Sequence, residues 1–338
     1  MEIKTAELLK VLNTIKSGLS KKEIMQGGKT FIFTGTELLT YNDQISIRVP
    51  YKTDFAMAVP SDELLKILSK IKTETIQISF DIEKTEFSIK SGRTQSGLKC
   101  PDIAIESVLE VITPDESAKW KNLPDDFIQG LLMTLFSASS DMTKPILTCI
   151  SVGKEFMLSS DNLRISKYGF TDRGVSEPFL LPALSAQEII KIKTLTKYTI
   201  DGSWIHFAGA DGLIFSSRTV DGEFPDVSQF FEIEGEVLKL PQKELQESIE
   251  MVSILAEGDF DFDKKIEVEI KDKKIICTGV QDVGWISDSI DCHTSKEIKF
   301  YINPFYFKEI LNHPVTAVHS EKVLKFISGT FQHLVSLF

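Results

Sequence analysis

VPSDELLKILSKIK (59–72), LPALSAQEIIKIKTLTK (181–197) and INPFYFKEILNH (302–313) are three versions of one arrangement, a proline leading into an amphipathic helix. Their prolines, Pro60, Pro182 and Pro304, stand 122 residues apart both times. In each stretch apolar residues return at helical spacing: Leu64, Leu65 and Leu68, then Ile189, Ile190 and Ile192, then Phe307, Ile310 and Leu311. A second set of helices keeps nearly the same period. TAELLKVLNTIKSGL begins at Thr5, PDDFIQGLLMTLFSASS at Pro124 and PQKELQESIEMVSILA at Pro241, at intervals of 119 and 117. Thr5 suits an N-cap, and Pro124 and Pro241 suit a first helical turn, where a missing N–H costs nothing.

Short alternating segments lie between these helices. KTFIFTGTELLTY (29–41), TIQISFDIEKTEFSIKSG (75–92), KYTIDGSWIHFAG (197–209), KKIEVEIKDKKIICTGV (264–280) and KVLKFISGTFQHLVSLF (322–338) are rich in Ile, Phe, Val and Thr. Their period of two, broken at Gly and Asp, predicts antiparallel strands. The expected class is α+β: three tandem domains, 1–120, 121–235 and 236–338, each of two helices packed on antiparallel sheet.

The chain has 338 residues, 42% hydrophobic and 26% charged, which suits a globular protein of two or three domains. The N-terminal segment MEIKTAELLKVLNTIKSG carries Glu2 and Lys4 and reads as an amphipathic helix rather than a signal peptide. No stretch approaches the ~20 apolar residues that span a bilayer, so a soluble cytoplasmic protein without membrane contact is expected. Cys100, Cys149, Cys277 and Cys292 form no CxxC pair, which predicts reduced, scattered thiols. The net charge of −11 argues against a protein that coats nucleic acid.

Several stretches, in order along the chain, resemble the bacterial sliding clamp family, the beta subunit of DNA polymerase III. SRTVDGEFPDV (217–227) is similar to the family's lysine-leucine-valine-aspartate-glycine-arginine-phenylalanine-proline-aspartate stretch. SSDNLRISKY from Ser159 resembles its threonine-aspartate-glycine-histidine-arginine-leucine motif, and FSIKSGRTQSGLKCPD from Phe87 its serine-glycine-arginine strand. FTGTELL from Phe33 and INPFYFKEIL from Ile302 are weaker matches. The resemblance implies a head-to-tail homodimer that closes into a ring around double-stranded DNA, helices lining the hole and sheets outside. Asn162 and Leu163 stand where the family has glycine and histidine, the chain is shorter than typical members, and it ends LVSLF without a proline. These departures mark a divergent member, phage-encoded or from an unusual bacterial lineage.

Charge by thirds bears on the DNA. Residues 1–120 carry 16 Lys/Arg against 17 Asp/Glu, residues 121–235 carry 10 against 15, and residues 236–338 carry 12 against 17. In the implied lumen helices Lys10, Lys16, Lys66, Lys70, Lys72, Lys191, Lys193 and Lys197 recur at exposed positions, with Lys21, Lys22 and Lys144 as loop candidates. Any one of these is more simply a solvated side chain; together they make a modest positive stripe. A ring retained by closure should not grip phosphates, because strong contacts would slow sliding. The helix from Pro241 departs from the stripe, with Glu244, Glu247 and Glu250 against Lys243.

The resemblance also implies a pocket for short peptide motifs of the DNA polymerase and the clamp loader. Position by position it consists of Leu147, Ser160, Asn162, Leu163, Arg164 and Ile165, then Pro225, Gln229 and Phe230, with Val323 and the tail Ser336, Leu337 and Phe338. From the residues alone, ordinary core is the better reading of Leu147, Ile165 and Val323. The implied dimer seam sets Ile105 and Val108 of one chain against Ile254 and Leu255 of the next.

Enzymatic chemistry has no candidate residues, and neither a cofactor nor a metal is expected. Asp259, Asp261 and Asp263 imitate a calcium loop that fails at Lys264 and Ile270, where glycine and glutamate are needed. His206, His293, His313, His319 and His333 have no paired-ligand spacing. Two rival readings stand: a clamp-fold assembly protein that no longer encircles DNA, and a hydrolase whose carboxylates converge in a cleft with shifted pKa values.

Overall fold

The computed structural model describes residues 1–21, 27–294 and 296–338. Elements repeat in a fixed order. The first round is β1 (Glu2–Lys4), α1 (Thr5–Ile15), β2 (Thr30–Phe33), β3 (Glu37–Tyr41), β4 (Ile45–Pro50), β5 (Met57–Pro60), α2 (Ser61–Lys70), β6 (Thr75–Asp81), β7 (Glu86–Ser91) and β8 (Thr94–Lys99). After an additional helix, α3 (Ile105–Ile112), come β9 (Lys121–Asn122), α4 (Phe127–Thr134), β10 (Cys149–Val152), β11 (Phe156–Ser160), β12 (Arg164–Gly169), β13 (Phe179–Pro182), α5 (Ala183–Ile189), β14 (Leu195–Asp201), β15 (Trp204–Gly209) and β16 (Ile214–Arg218). The third round is β17 (Glu236–Leu238), α6 (Gln242–Val252), β18 (Ile266–Lys271), β19 (Lys274–Gln281), β20 (Gly284–Asp291), β21 (Ile298–Ile302), α7 (Pro304–Ile310), β22 (Thr316–His319), β23 (Val323–Ser328) and β24 (Phe331–Ser336). Each round is a strand, a helix, four strands, a helix and three strands.

The strands form four sheets, with orders β1-β6-β7-β8, β5-β2-β3-β4-β16-β15-β14-β9, β13-β10-β11-β12-β24-β23-β22-β17 and β20-β19-β18-β21. The two joints where successive rounds meet are antiparallel. β4 meets β16 with Ser46 opposite Ser216, and β12 meets β24 with Ser166 opposite His333. An eight-stranded sheet is thus half from one round and half from the next. Compactness follows these sheets and cuts across the middle third. One unit is 1–128 with 181–221, and the other is 129–180 with 222–338. A continuous ladder of backbone hydrogen bonds crosses each joint, so the sheet is the natural packing unit.

In the first unit α1 turns Leu8, Leu12 and Ile15 inward and packs beside α2, which buries Leu64 and Leu68. Phe33 stacks on Phe87 at 6.0 Å between centroids, and Phe31, Phe207 and Phe215 are fully buried. In the second unit α6 buries Leu245, Ile249 and Val252 beside α7, whose Phe307 lies against Phe326. Burying each such side chain stabilises the fold by about 1.5–3 kcal/mol.

Local expectations fail at several places, among them Pro124, which precedes α4 rather than standing in its first turn, and Glu2–Lys4, which is strand rather than helix. Thr5 is the first residue of α1, not its cap; its hydroxyl donates to the Thr73 carbonyl at 2.8 Å. Pro241 occupies the cap position of α6 rather than its first turn. The helix after Pro182 stops at Ile189, and Leu195–Asp201 is strand, because Thr194, Thr196, Thr199 and Ile200 favour extended backbone.

Candidate functional site

The hairpin between β11 and β12 in the second unit shapes a cavity of about 230 Å³. Asp161 makes the turn: its Oδ1 accepts the N–H groups of Leu163 and Arg164, both at 3.0 Å. Asn162 then takes φ = +75°, a conformation that asparagine tolerates better than larger residues. The Ser160 hydroxyl donates to the Arg164 carbonyl at 2.9 Å and accepts from the Asn162 N–H, so it is not poised as a nucleophile.

The opposite wall is the segment after Gly222. Phe224, Pro225, Asp226, Val227 and Phe230 line the cavity, and Val227 and Phe231 are buried with Leu334. The Ser228 backbone N–H donates to Asp226 at 3.0 Å and holds that carboxyl below the usual range. Lys325, only 9% exposed, anchors the wall by donating to the Phe231 carbonyl at 2.7 Å; burial, with Lys167 nearby, lowers its pKa. Leu147 reaches in from the turn Pro145–Thr148, and Val323 with Ser336 closes the floor as a cross-strand pair.

Arg164 is held from behind. Its guanidinium donates to Asp161 at 2.9 Å and to Glu309 at 2.6 Å, and lies 4.1 Å from the centroid of Tyr306. Two carboxylates around one guanidinium leave the site without free positive charge. The site offers apolar walls with a polar rim, suited to receiving apolar side chains of an extended ligand. Among the described residues no group of three or more His, Cys, Asp or Glu could hold a metal ion.

The structure therefore brings together Leu147, Ser160, Asn162, Leu163, Arg164, Ile165, Pro225, Phe230, Val323 and Ser336. Gln229, Leu337 and Phe338 lie outside the lining. Gln229 is exposed, and the tail turns away: the Leu337 N–H donates to Lys322 and the Phe338 N–H to Tyr301, at 2.9 and 3.0 Å. Sequence reasoning missed Phe224, Asp226, Val227 and Leu334. The first three sit in the quoted SRTVDGEFPDV motif, and Leu334 shares a strand face with Ser336 by period two.

The corresponding hairpin of the first unit, β3–β4, has the same turn chemistry. Asn42 Oδ1 accepts from Gln44 and Ile45, and Asp43 takes φ = +69°. Registers equate Tyr41 with Ser160, Asp43 with Asn162, Trp204 with Val323 and Arg218 with Ser336. There the space is filled: the Trp204 ring lies 6.2 Å from Tyr41, and Arg218 sits 4.8 Å over Trp204 while pairing with Asp43 at 2.9 Å.

Lys10, Lys16, Lys21, Lys66, Lys70, Lys72, Lys144, Lys191, Lys193 and Lys197 are all exposed; Lys22 lies outside the described residues. Lys16, Lys191 and Lys193 share a cleft of about 390 Å³ at the ends of α1 and α5, where Lys191 pairs with Glu188 at 2.8 Å. Lys197 is on β14 opposite Asn122, not on a helix. Ile105 and Val108 pack from α3 against Ile32, Leu39, Ile112 and Trp204. Ile254 is 67% exposed and Leu255 half-buried on the turn Ser253–Leu255.

No protein-family model matches the chain. The Beta sliding clamp of Rickettsia felis is 25% identical over 308 residues, 83% of this chain and 78% of that protein. The Beta sliding clamp of Rickettsia bellii is 23% identical over 309 residues, 84% and 79% respectively. A DNA polymerase III beta subunit from Eubacterium rectale superposes with a TM-score of 0.86 at 17% identity, covering 100% of this chain and 98% of that one. The Bacillus subtilis DNA polymerase sliding clamp gives 0.83 at 18%, and a Bartonella birtlesii clamp bound to griselimycin 0.85 at 15%, each with the same coverage. The chain has the three-domain fold of the bacterial sliding clamps and is a divergent relative of the beta sliding clamp.

Proposed function

We propose that this chain is a non-catalytic processivity subunit. Two copies join head to tail around duplex DNA, and the cavity captures short peptide motifs of the replicative polymerase, the clamp loader and other DNA-processing proteins in the cytoplasm. Its three domains are 1–120, 121–235 and 236–338. The observation that carries the reading is a pair of open sheet edges. β8 ends its four-stranded sheet at the position that β16 holds in an eight-stranded one, and β20 ends the other at the position of β4. Since β4 pairs with β16 and β12 with β24, the partner left for β20 is β8 of a second copy. An unpaired edge is a liability that pairing removes. Asp288 and Asp291 on β20 and Arg93 beside β8 favour that mixed joint over either self-pairing.

The exposed lysines of α1, α2 and the cleft beyond α5 support loose, sequence-independent phosphate contact. The decisive experiment loads the protein onto circular plasmid and passes it through gel filtration. Retention on the circle and release when the same plasmid is linearised is the expected result. Equal loss from both forms would sink the ring and leave an assembly protein on the same fold.

A further inference from the structure

The loop 257–265, between the turn Ser253–Leu255 and β18, belongs to the second unit but not to the cavity's lining. Glu257 and Lys265 close its base, each N–H donating to the other's carbonyl at 3.1 and 2.8 Å, with their side chains paired at 3.1 Å. Inside, Asp263 Oδ1 accepts the Phe260 N–H at 2.8 Å, and the Phe260 carbonyl accepts from Asp263 and Lys264. Gly258, at φ = +129°, passes so near Asp263 that a Cβ would lie 2.7 Å from its Oδ1. Asn303 Nδ2 donates to the Asp261 carbonyl at 2.8 Å and ties the tip to the start of α7.

This restrained loop displays two phenylalanines to solvent. Phe260 and Phe262 are 62% and 56% exposed, their rings parallel within 3° and 5.5 Å apart at the centroids. A fixed pair of exposed aromatics is an anchor prepared for a partner, since holding it in place removes part of the entropy cost of binding. The flanking charges say which partner. Asp259 and Asp261 are exposed, and among the described residues no ion pair engages either carboxylate. The neighbouring lysines are turned onto the loop itself, Lys264 donating to the Gly258 carbonyl at 3.3 Å and Lys265 pairing with Glu257. The displayed face therefore alternates Asp, Phe, Asp, Phe. Carboxylates there repel phosphates and anionic lipid headgroups, and aromatic platforms for bases need basic surroundings. A guanidinium both pairs with carboxylate and stacks on an aromatic face.

We propose that this loop docks a basic amphipathic segment of a partner protein, arginines against Asp259 and Asp261 and apolar side chains on the two rings. Such docking requires neither the ring nor the cavity. The test titrates the full chain with a fluorescein-labelled synthetic peptide in which arginine and leucine recur at helical spacing, followed by fluorescence anisotropy. The comparison is its counterpart with glutamate for arginine. The arginine peptide is expected to bind at least about tenfold tighter than the glutamate one, and Phe260→Ser with Phe262→Ser to weaken it about tenfold. Asp259→Asn with Asp261→Asn should flatten its salt dependence, whereas Val323→Trp, in the cavity, should leave it unchanged. Unchanged affinity in the serine pair overturns the proposal. So does sedimentation in which the serine pair dissociates a dimer of this chain, which would assign the rings to a second copy.

Discussion

Val323→Trp should close the cavity of the second unit. Registers place Val323 where Trp204 stands in the first, and there the indole is only 5% exposed, packed against Tyr41 and covered by Arg218. At the second site the neighbours are smaller, Ser160 for Tyr41 and Ser336 for Arg218, around about 230 Å³ of open space. The new ring thus enters volume that is empty, unlike a substitution that overpacks a filled core at about 1–3 kcal/mol. What is lost is the room for an anchoring side chain of a bound peptide. Anchors of that kind contribute about 2–4 kcal/mol, so affinity should fall by about 30- to 1,000-fold. Anisotropy with a labelled peptide carrying two adjacent large apolar residues measures this, with a thermal melt to confirm an intact fold. A folded variant that binds the peptide as well as the parent would refute both the register equivalence and the location of the peptide.

Ile254→Ala with Leu255→Ala should yield a monomer, because Ile254 stands 67% exposed on a turn beside β19 and β20; an intact dimer in sedimentation would reject that seam. Reversing the charge of Lys16 and Lys193 should reduce the salt dependence of DNA association by about one unit of slope per lysine, read from retention at several ionic strengths. Acid should weaken the fold through His206, whose burial lowers its pKa to about 4 while Ser216 hydrogen-bonds its Nδ1 at 2.8 Å. The unfolded chain, with a histidine pKa of about 6.5, then binds more protons, so this stability is complete above about pH 6.5 and is lost as pH falls toward 4, up to about 3 kcal/mol. Urea midpoints of His206→Gln should be flatter across that window than those of the parent, and parallel curves would contradict the assignment.

The repeated fold was legible because its signals are local. A proline before an apolar stripe, and alternation broken by Gly or Asp, report helix starts and strands within a few residues. The order of the strands across a joint was not legible. β4 meets β16 only through a sequence separation of more than 160 residues, and no local pattern states which edge closes on which. The helix α3 escaped for another reason. IESVLEVI was read only for Ile105 and Val108, two seam residues implied by the resemblance, and not for its helical spacing; both side chains pack on the cluster that includes Ile32, Leu39 and Trp204 and stay partly exposed. At the site, the hairpin and the segment after Gly222 were visible in quoted motifs. The tail was not, since Leu337 and Phe338 are placed by backbone bonds to Lys322 and Tyr301 that apolar bulk alone does not predict.

A duplicated sheet joint explains how one fold can carry a binding site on one copy and none on the other. The turn is preserved in both, by an Asx residue accepting two backbone N–H groups and a successor at positive φ, Asn42 with Asp43 and Asp161 with Asn162. The side chains facing the joint then decide whether the surface is plugged or open. Tyr41, Trp204 and Arg218 supply two aromatic rings and a guanidinium that satisfies Asp43, so the first joint holds its own ligand. Ser160, Val323 and Ser336 remove those groups from the second. Arg164 there is drawn back onto Tyr306 and Glu309 instead of forward across the opening. Across the hairpin and its two facing strands the sites differ by bulk at three registers, and the cover differs as well, helix α3 over the first joint and the segment 224–230 beside the second. On this logic Trp204→Val with Arg218→Ser should open a cavity in the first unit, at a cost of about 3–5 kcal/mol for the large-to-small change. A crystal structure of that variant with the same space refilled by collapse of α3 would show that the helix, not the indole, keeps the first joint closed.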